Sequence, residues 1–172
     1  MEKQDNNKLF KEIENSLASS DEKIVSATIQ RIKKEGKPEM LIPLIKLFLR
    51  NDEKTIRKEI LQLLGNLRQQ ECVPVIMDIL KNTDLGDSKS AIIATCWQSR
   101  LDYSEHLNVF AQFFIDGDFQ TAIESFTVIE EAVLEGHKAS GNRCRSYFLN
   151  NIESITDEKK PLFEELMIVL KE

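Results

Sequence analysis

Three cysteines and two histidines are the residues of this chain with the chemistry to hold a metal or to act as a nucleophile and its base. Cys72, Cys96 and Cys144 stand far apart, as do His106 and His137. A structural zinc site draws its ligands in close pairs, because two neighbouring backbone positions must reach one ion. No such pair occurs here. A catalytic cysteine needs a partnered histidine and a stabilised thiolate, whereas Cys72 and Cys96 fall on or beside apolar helix faces. Glu130, Glu131, Glu135 and His137 look like an acid–base cluster only when read linearly, since adjacent residues on a helix diverge by about 100°. The glycines are scattered and form no phosphate-cradling loop. Trp97 could stack a ligand, but it falls on an apolar position of the pattern described next, which reads as core. The expectation is a chain with no catalytic residue, no cofactor and no metal, and hence not an enzyme.

The elements that would position any site come from a repeat. "IPLIKLFLRN" (Ile42–Asn51) returns as "VPVIMDILKN" (Val73–Asn82), a shift of 31 residues. The same shift lays "DEKIVSATIQRI" from Asp21 on "DEKTIRKEILQL" from Asp52. Val25 then matches Ile56, Ile29 matches Ile60, and Leu44 and Ile45 match Val75 and Ile76. A third copy follows at a shift of 34, with Val109, Phe110, Phe113 and Phe114 on the positions of Val75, Ile76, Ile79 and Leu80. The turn-rich "NTDLGDS" absorbs the extra residues. A fourth copy starts at Asp118 with Ala122, Phe126, Ile129 and Val133 on one face.

Each copy reads as two helices, because its apolar residues recur at i, i+3, i+4 and i+7. No period-2 alternation predicts a strand. The breaks between the two helices are Gly36-Lys37-Pro38, Arg68-Gln69-Gln70, Asp102-Tyr103-Ser104 and Gly136-His137. Asp21, Asp52, Ser88 and Asp118 suit helix N-termini, where a side-chain oxygen can accept from free backbone N–H groups. Pro43 and Pro74 lie near the starts of second helices, where a missing N–H costs least. A helix pair of this length cannot bury both its apolar stripes alone, so neighbouring pairs must stack. The organisation expected is one domain over 1–172: an N-terminal capping helix at 7–20, helix pairs at 21–51, 52–86, 87–117 and 118–155, and a C-terminal capping helix at 156–172. Residues before about Asn7 are expected to fray.

Lys54–Asn82 resembles a HEAT repeat, carried by Ile56-Arg57, Leu64-Gly65, Leu67 and Val73-Pro74. Asp21–Asn51 is similar but lacks the Leu-Gly pair, and the third copy has Asn108 in place of the proline. The resemblance spans roughly Asp21–Val133 and implies an all-α fold, a right-handed α-solenoid of about four HEAT-like helix pairs with helical caps. Such repeats, in the HEAT and bilin-lyase-type families alike, serve many unrelated tasks. In this fold the second helices line the concave side. Their outward positions would form ladders across the repeats: Pro43, Pro74 and Asn108; Lys46, Met77 and Ala111; Leu47, Asp78 and Gln112; Arg50, Lys81 and Ile115. Leu47, Met77 and Ile115 would then be apolar anchors in a polar groove suited to a bound helix or extended peptide, the alternative being burial against neighbouring repeats.

The formal charge is −6 over 172 residues. Up to Gly86 there are 15 Lys and Arg against 14 Asp and Glu; beyond it there are 8 against 15. Asp102, Glu105, Asp116, Asp118, Glu124, Glu130, Glu131 and Glu135 fall in a stretch, Leu101–His137, without one Lys or Arg. Solubility and helix N-terminal acids account for such a run; an acidic surface steering a basic partner is the functional reading. The partner expected is a protein or peptide bound on the concave face. Alkylpurine DNA glycosylases and bilin lyases use similar solenoids, so nucleic-acid binding and a lyase activity are the alternatives. A nucleic-acid groove needs many cations, and among the ladder positions only Lys46, Arg50 and Lys81 supply them. The polar start, the lack of an apolar run long enough for a membrane span and the odd, widely spaced cysteines suit a cytoplasmic protein with reduced thiols.

Overall fold

The computed structural model describes residues 2–35 and 37–171, with side chains from Lys8 onward. Met1, Gly36 in the first expected break, and Glu172 lie outside the described residues. Helix dominates throughout, and no strand occurs among the described residues. No described helix is long and apolar enough to cross a membrane. Contacts divide the chain into two units, one ending at Leu85 and the other starting at Gly86.

The first unit contains α1 (Glu2–Leu17), α2 (Glu22–Glu35), α3 (Leu41–Arg50), α4 (Lys54–Leu64) and α5 (Cys72–Asn82). The helical backbone starts at Glu2, earlier than the expected fraying before Asn7. Each helix buries the stripe that its 3.6-residue period lays out: Val25, Ile29 and Ile32 on α2; Leu44, Ile45 and Phe48 on α3; Ile56, Ile60, Leu63 and Leu64 on α4; Val73, Ile76 and Leu80 on α5. Packing is layered. α2 lies on α4, and α3 lies on α5, while α1 spans both layers against α2 and α3. Polar links tie neighbouring helices at their edges. Ser26 donates to the Glu59 carboxylate at 2.9 Å, and Arg31 pairs with both Glu12 and Glu35 at 2.7 Å.

The second unit contains α6 (Lys89–Ser99), α7 (Leu107–Asp116), α8 (Phe119–Leu134), α9 (Lys138–Asn150) and α10 (Lys160–Val169). The same layering holds: α6 packs on α8, α8 on α10, and α7 on α9. α8 also packs on α7 and α9, so it touches four other helices. Its sequence suits that place. Ala122, Phe126, Ile129 and Val133 form one buried stripe, and Thr121, Ser125, Val128 and Ala132 form a second beside it. The second stripe is made of small side chains, which let a neighbouring helix approach closely. Ser125 donates to the Thr121 carbonyl at 2.7 Å, so its buried hydroxyl is satisfied within the helix. Rings complete the core. Phe114 meets Phe148 edge-on at 5.3 Å between centroids, and Phe148 meets Phe163 at 5.8 Å, joining α7, α9 and α10.

Helix C-termini expose carbonyls without intrahelical partners, and here cationic side chains close several of them. Arg50 donates to Leu17 O at 3.2 Å at the end of α1. Arg57 donates to Phe48 O at the end of α3 and lies 3.9 Å from the centroid of the Phe48 ring. Lys159, on the 3₁₀ turn Asp157–Lys159, is 4% exposed and donates to Phe114 O at 2.9 Å, to Ile115 O at 2.7 Å and to Gly117 O at the end of α7. Burial lowers the pKa of its ammonium, opposed by Asp116, Asp118 and Glu158. The turn it closes needs a glycine for a different reason: a Cβ at Gly117 would overlap Thr121 Cγ2 and lie 2.7 Å from Phe113 O.

Replacing Lys159 with Met keeps the stem and deprives three carbonyls of their donor. Lys159→Met is expected to destabilise the protein by about 2–3 kcal/mol in urea unfolding. A Met at the neighbouring exposed Lys160 should change stability by no more than about 0.5 kcal/mol. Equal effects at the two positions would mean that the Lys159 cap contributes nothing.

Candidate functional site

The three thiols are fully buried. Burial pushes the Cys96 and Cys144 thiols up to about 12. Cys72 is raised as well, by burial and then by Glu71 and Glu39. Thiols so disfavoured as thiolates are poor nucleophiles and poor metal ligands. Among the described residues no three His, Cys, Asp or Glu side chains converge as a metal site would require.

The histidines do meet an acid. His137 Nε2 lies 3.7 Å from Asp102 Oδ1. The carboxylate accepts from the Ser104 backbone N–H at 2.8 Å; hydrogen bonding by Ser104 lowers its pKa most, with further help from His137 and His106. Asp102 lies in the turn between α6 and α7 and His137 in the turn between α8 and α9, two of the breaks expected from the sequence. Trp97 is half-buried on α6 rather than enclosed, and its indole N–H donates to Glu124 Oε2 on α8 at 2.9 Å. A fully enclosed indole would need an acceptor inside the core; at the edge of α6 the Glu124 carboxylate supplies one. Trp97 also lines a small cleft with Tyr103, Glu131 and Glu135, with room for about 20 Å³, less than a ligand ring requires.

The ladder positions divide by burial. Pro43, Leu47, Met77, Ala111 and Ile115 are buried, so they present no anchor to solvent. Lys46, Arg50, Pro74, Asp78, Lys81, Asn108 and Gln112 are exposed. The exposed stripe of α3 is Ile42, Lys46 and Arg50, one position earlier than the repeat alignment implies. The cause is α1, which packs on α3. Leu17 of α1 shares a small cleft with Pro43, Lys46 and Arg50. On α7 the corresponding burial comes with α9, which packs against it. Repeat arithmetic cannot show this, because it aligns helices without their capping neighbours.

The charge asymmetry divides at the unit boundary. Several of the eight acids of the Leu101–His137 stretch have structural duties. Asp118 caps α8, accepting from the Thr121 N–H at 2.7 Å, and this bond holds its carboxyl below the usual value. Glu124 accepts from Trp97 and from Gln120. Asp116 favours the charged forms of Lys89 and Lys159, and Lys89 Nζ lies 3.9 Å from the Phe113 ring centroid. Glu105 lies 3.4 Å from Arg143. Glu131 and Glu135 are exposed. Glu130 is half-buried; burial raises its pKa, and repulsion from Glu131 and Glu165 adds to the rise.

Asp118 and Glu130 give opposite pH signatures. The folded state binds a proton to Glu130 more tightly than the unfolded chain does, so its contribution to stability falls as pH rises from the ordinary glutamate value through the raised one. Glu130→Gln should therefore raise the melting temperature near pH 7 and leave it unchanged near pH 3. Asp118 has a lowered folded value, so its contribution is complete above the ordinary aspartate value and lost as pH falls through the lowered one. Asp118→Ala should cost about 1 kcal/mol near neutrality and progressively less in acid. Thermal unfolding of both variants across that range measures the two signs.

In comparisons with known proteins, no family model, no curated protein and no solved structure matches the chain significantly.

Proposed function

We propose that this chain is a non-enzymatic interaction module: HEAT-like helix pairs of a right-handed α-solenoid that bind a protein or peptide partner along the second helices, in the cytoplasm. The layering supports the repeat reading. In each unit first helices pack on first helices and second helices on second, as stacked helix pairs do.

The observation that carries the functional reading is the stripe left open on each second helix. α3 leaves Lys46 and Arg50 exposed, α5 leaves Pro74, Asp78 and Lys81, and α7 leaves Asn108 and Gln112, while the opposite faces are packed. With Leu47, Met77 and Ile115 buried, recognition by this face is mainly polar, with Ile42 and Pro74 its exposed apolar side chains. Such contacts set specificity and association rate more than raw affinity. The acidic second unit, with Glu131 and Glu135 exposed, suits a partner with a basic surface.

A photo-crosslinking side chain at Lys46, Asp78 or Lys81, all on the open stripes of the first unit, tests this in the living source cell. The expected result is one shared partner captured from all three positions and not from exposed control positions at Lys23 and Asn142. Capture that is equal from stripe and control positions, or no capture from the stripe, contradicts the proposal.

A further inference from the structure

One cation of the second unit stands unanswered among the described residues. Arg145, half-buried on α9, has an enclosed Nε without a hydrogen-bond partner, and no hydrogen bond or ion pair reaches the rest of its guanidinium. Enclosed polar atoms are nearly always satisfied, so this one calls for an explanation. Its place on α9 shows which way it faces. Cys144 Sγ donates to Leu107 O at 3.7 Å, which turns that side of α9 toward α7. A Cβ at Gly141 would lie 3.0 Å from Val133 and 3.7 Å from Leu170, which turns the adjoining side toward α8 and the end of α10. Arg145 lies beyond Gly141 on the far side from Cys144, and Leu149, one turn on, is rotated about 140° from Cys144. Leu149 is 44% exposed, so this flank of α9 is open.

α10 offers a matching flank. Leu166 is buried and Leu162 and Val169 are half-buried on its covered side, and α10 packs on α8. Glu164 and Ile168 lie one turn apart on the open side, and Ile168 is 62% exposed. Glu164 makes no hydrogen bond or ion pair among the described residues, and Lys160, one turn before it, is engaged by Asp157. Two contacts set the register. Phe148 meets Phe163, and seven residues back along α9 Gly141 meets Leu170, seven residues on along α10. The helices therefore run antiparallel, and Arg145 and Glu164 stand within about 3 Å of level at 1.5 Å per residue.

Each helix thus presents a charge and an exposed aliphatic side chain one turn on, and the two charges are opposite. The flank carries both halves of an ion pair that does not close within one chain. A two-fold axis parallel to the helices would lay α9 of each copy on α10 of the other and close the pair twice. A flank of one sign would repel its own copy; this one carries both. We propose that the open flank of α9 and α10 is a homodimer interface, in which Arg145 of each copy binds Glu164 of the other while Leu149 and Ile168 are covered. The inference does not rest on the second-helix stripe.

Sedimentation equilibrium of the full chain tests it. Wild type should populate a dimer below about 100 μM, and no larger species, because a two-fold pairing closes on itself. Arg145→Glu and Glu164→Arg should each weaken dimerisation roughly tenfold or more, since each sets like charges against one another. The combined variant Arg145→Glu/Glu164→Arg should recover it, a rescue that lost packing at Arg145 alone would not give. Ile168→Asp, at an exposed position, should weaken the dimer with the melting temperature of the monomer unchanged. Lys46→Glu and Asp78→Lys, on the second-helix stripe, should leave the dimer unchanged, so the interface and the stripe are read separately. A chain that stays monomeric at every concentration overturns the proposal and leaves the flank to another protein. Dimers that Glu164→Arg and Ile168→Asp leave intact, or a folded double variant that fails to recover them, overturn it as well.

Discussion

An inner helix of a two-layer stack must bury more than one face, and the rest of this structure follows from that demand. α8 meets it most completely. Two adjacent stripes, one of Ala122, Phe126, Ile129 and Val133 and one of Thr121, Ser125, Val128 and Ala132, are buried against four other helices. Hydrophobic burial of this kind supplies the driving force. Removing a ring such as Phe148, fully enclosed beside Phe114 and Phe163, would cost about 3–5 kcal/mol. Several of the polar groups caught inside are satisfied locally: Ser125 and Thr95 bond to carbonyls of their own helices, and Lys159 to the carbonyl end of α7. Where a cation closes a helix end, it does so with a long side chain from elsewhere, which frees the short turns from supplying caps.

Once the inner faces are consumed, two of the exposed surfaces stand out. One is the single open stripe on each second helix. The other is the set of turns between helices, some of which meet in each unit. In the first unit those turns bring Lys37 beside Arg68 over an apolar floor. In the second they bring Asp102 beside His137. The same architectural rule thus places cations at one edge and a carboxylate–histidine contact at another, with the difference residing in a few turn residues. The buried thiols, raised by desolvation, belong to the packing.

Much of this is readable from the chain before any coordinates. The 3.6-residue spacing of Val25, Ile29 and Ile32, or of Ile56, Ile60 and Leu63, marks helices because only a helix puts those residues on one face. Pro43 and Pro74 sit in the first turns of α3 and α5, and Asp118 caps α8. The open side of α3 was not readable, because α1 covers part of it and the repeat contains no equivalent of α1. Leu47 was placed with Asp78 by alignment, yet one is buried and the other exposed. Lys159 and Lys160 are indistinguishable locally; only the end of α7 decides which is enclosed. That Lys37 and Arg68 line one cleft was latent in the 31-residue shift that separates them.

The doubly packed inner helices, α8 above all, hold the molecule, and native-state hydrogen exchange reads this residue by residue. Backbone amides open with free energies that rise toward the global value in the most enclosed segments. The amides of Ala122–Ala132 should exchange the slowest in the second unit, more slowly than those of α10, which packs chiefly on α8. Exchange from α8 as fast as from α10 would mean that double packing does not hold the unit.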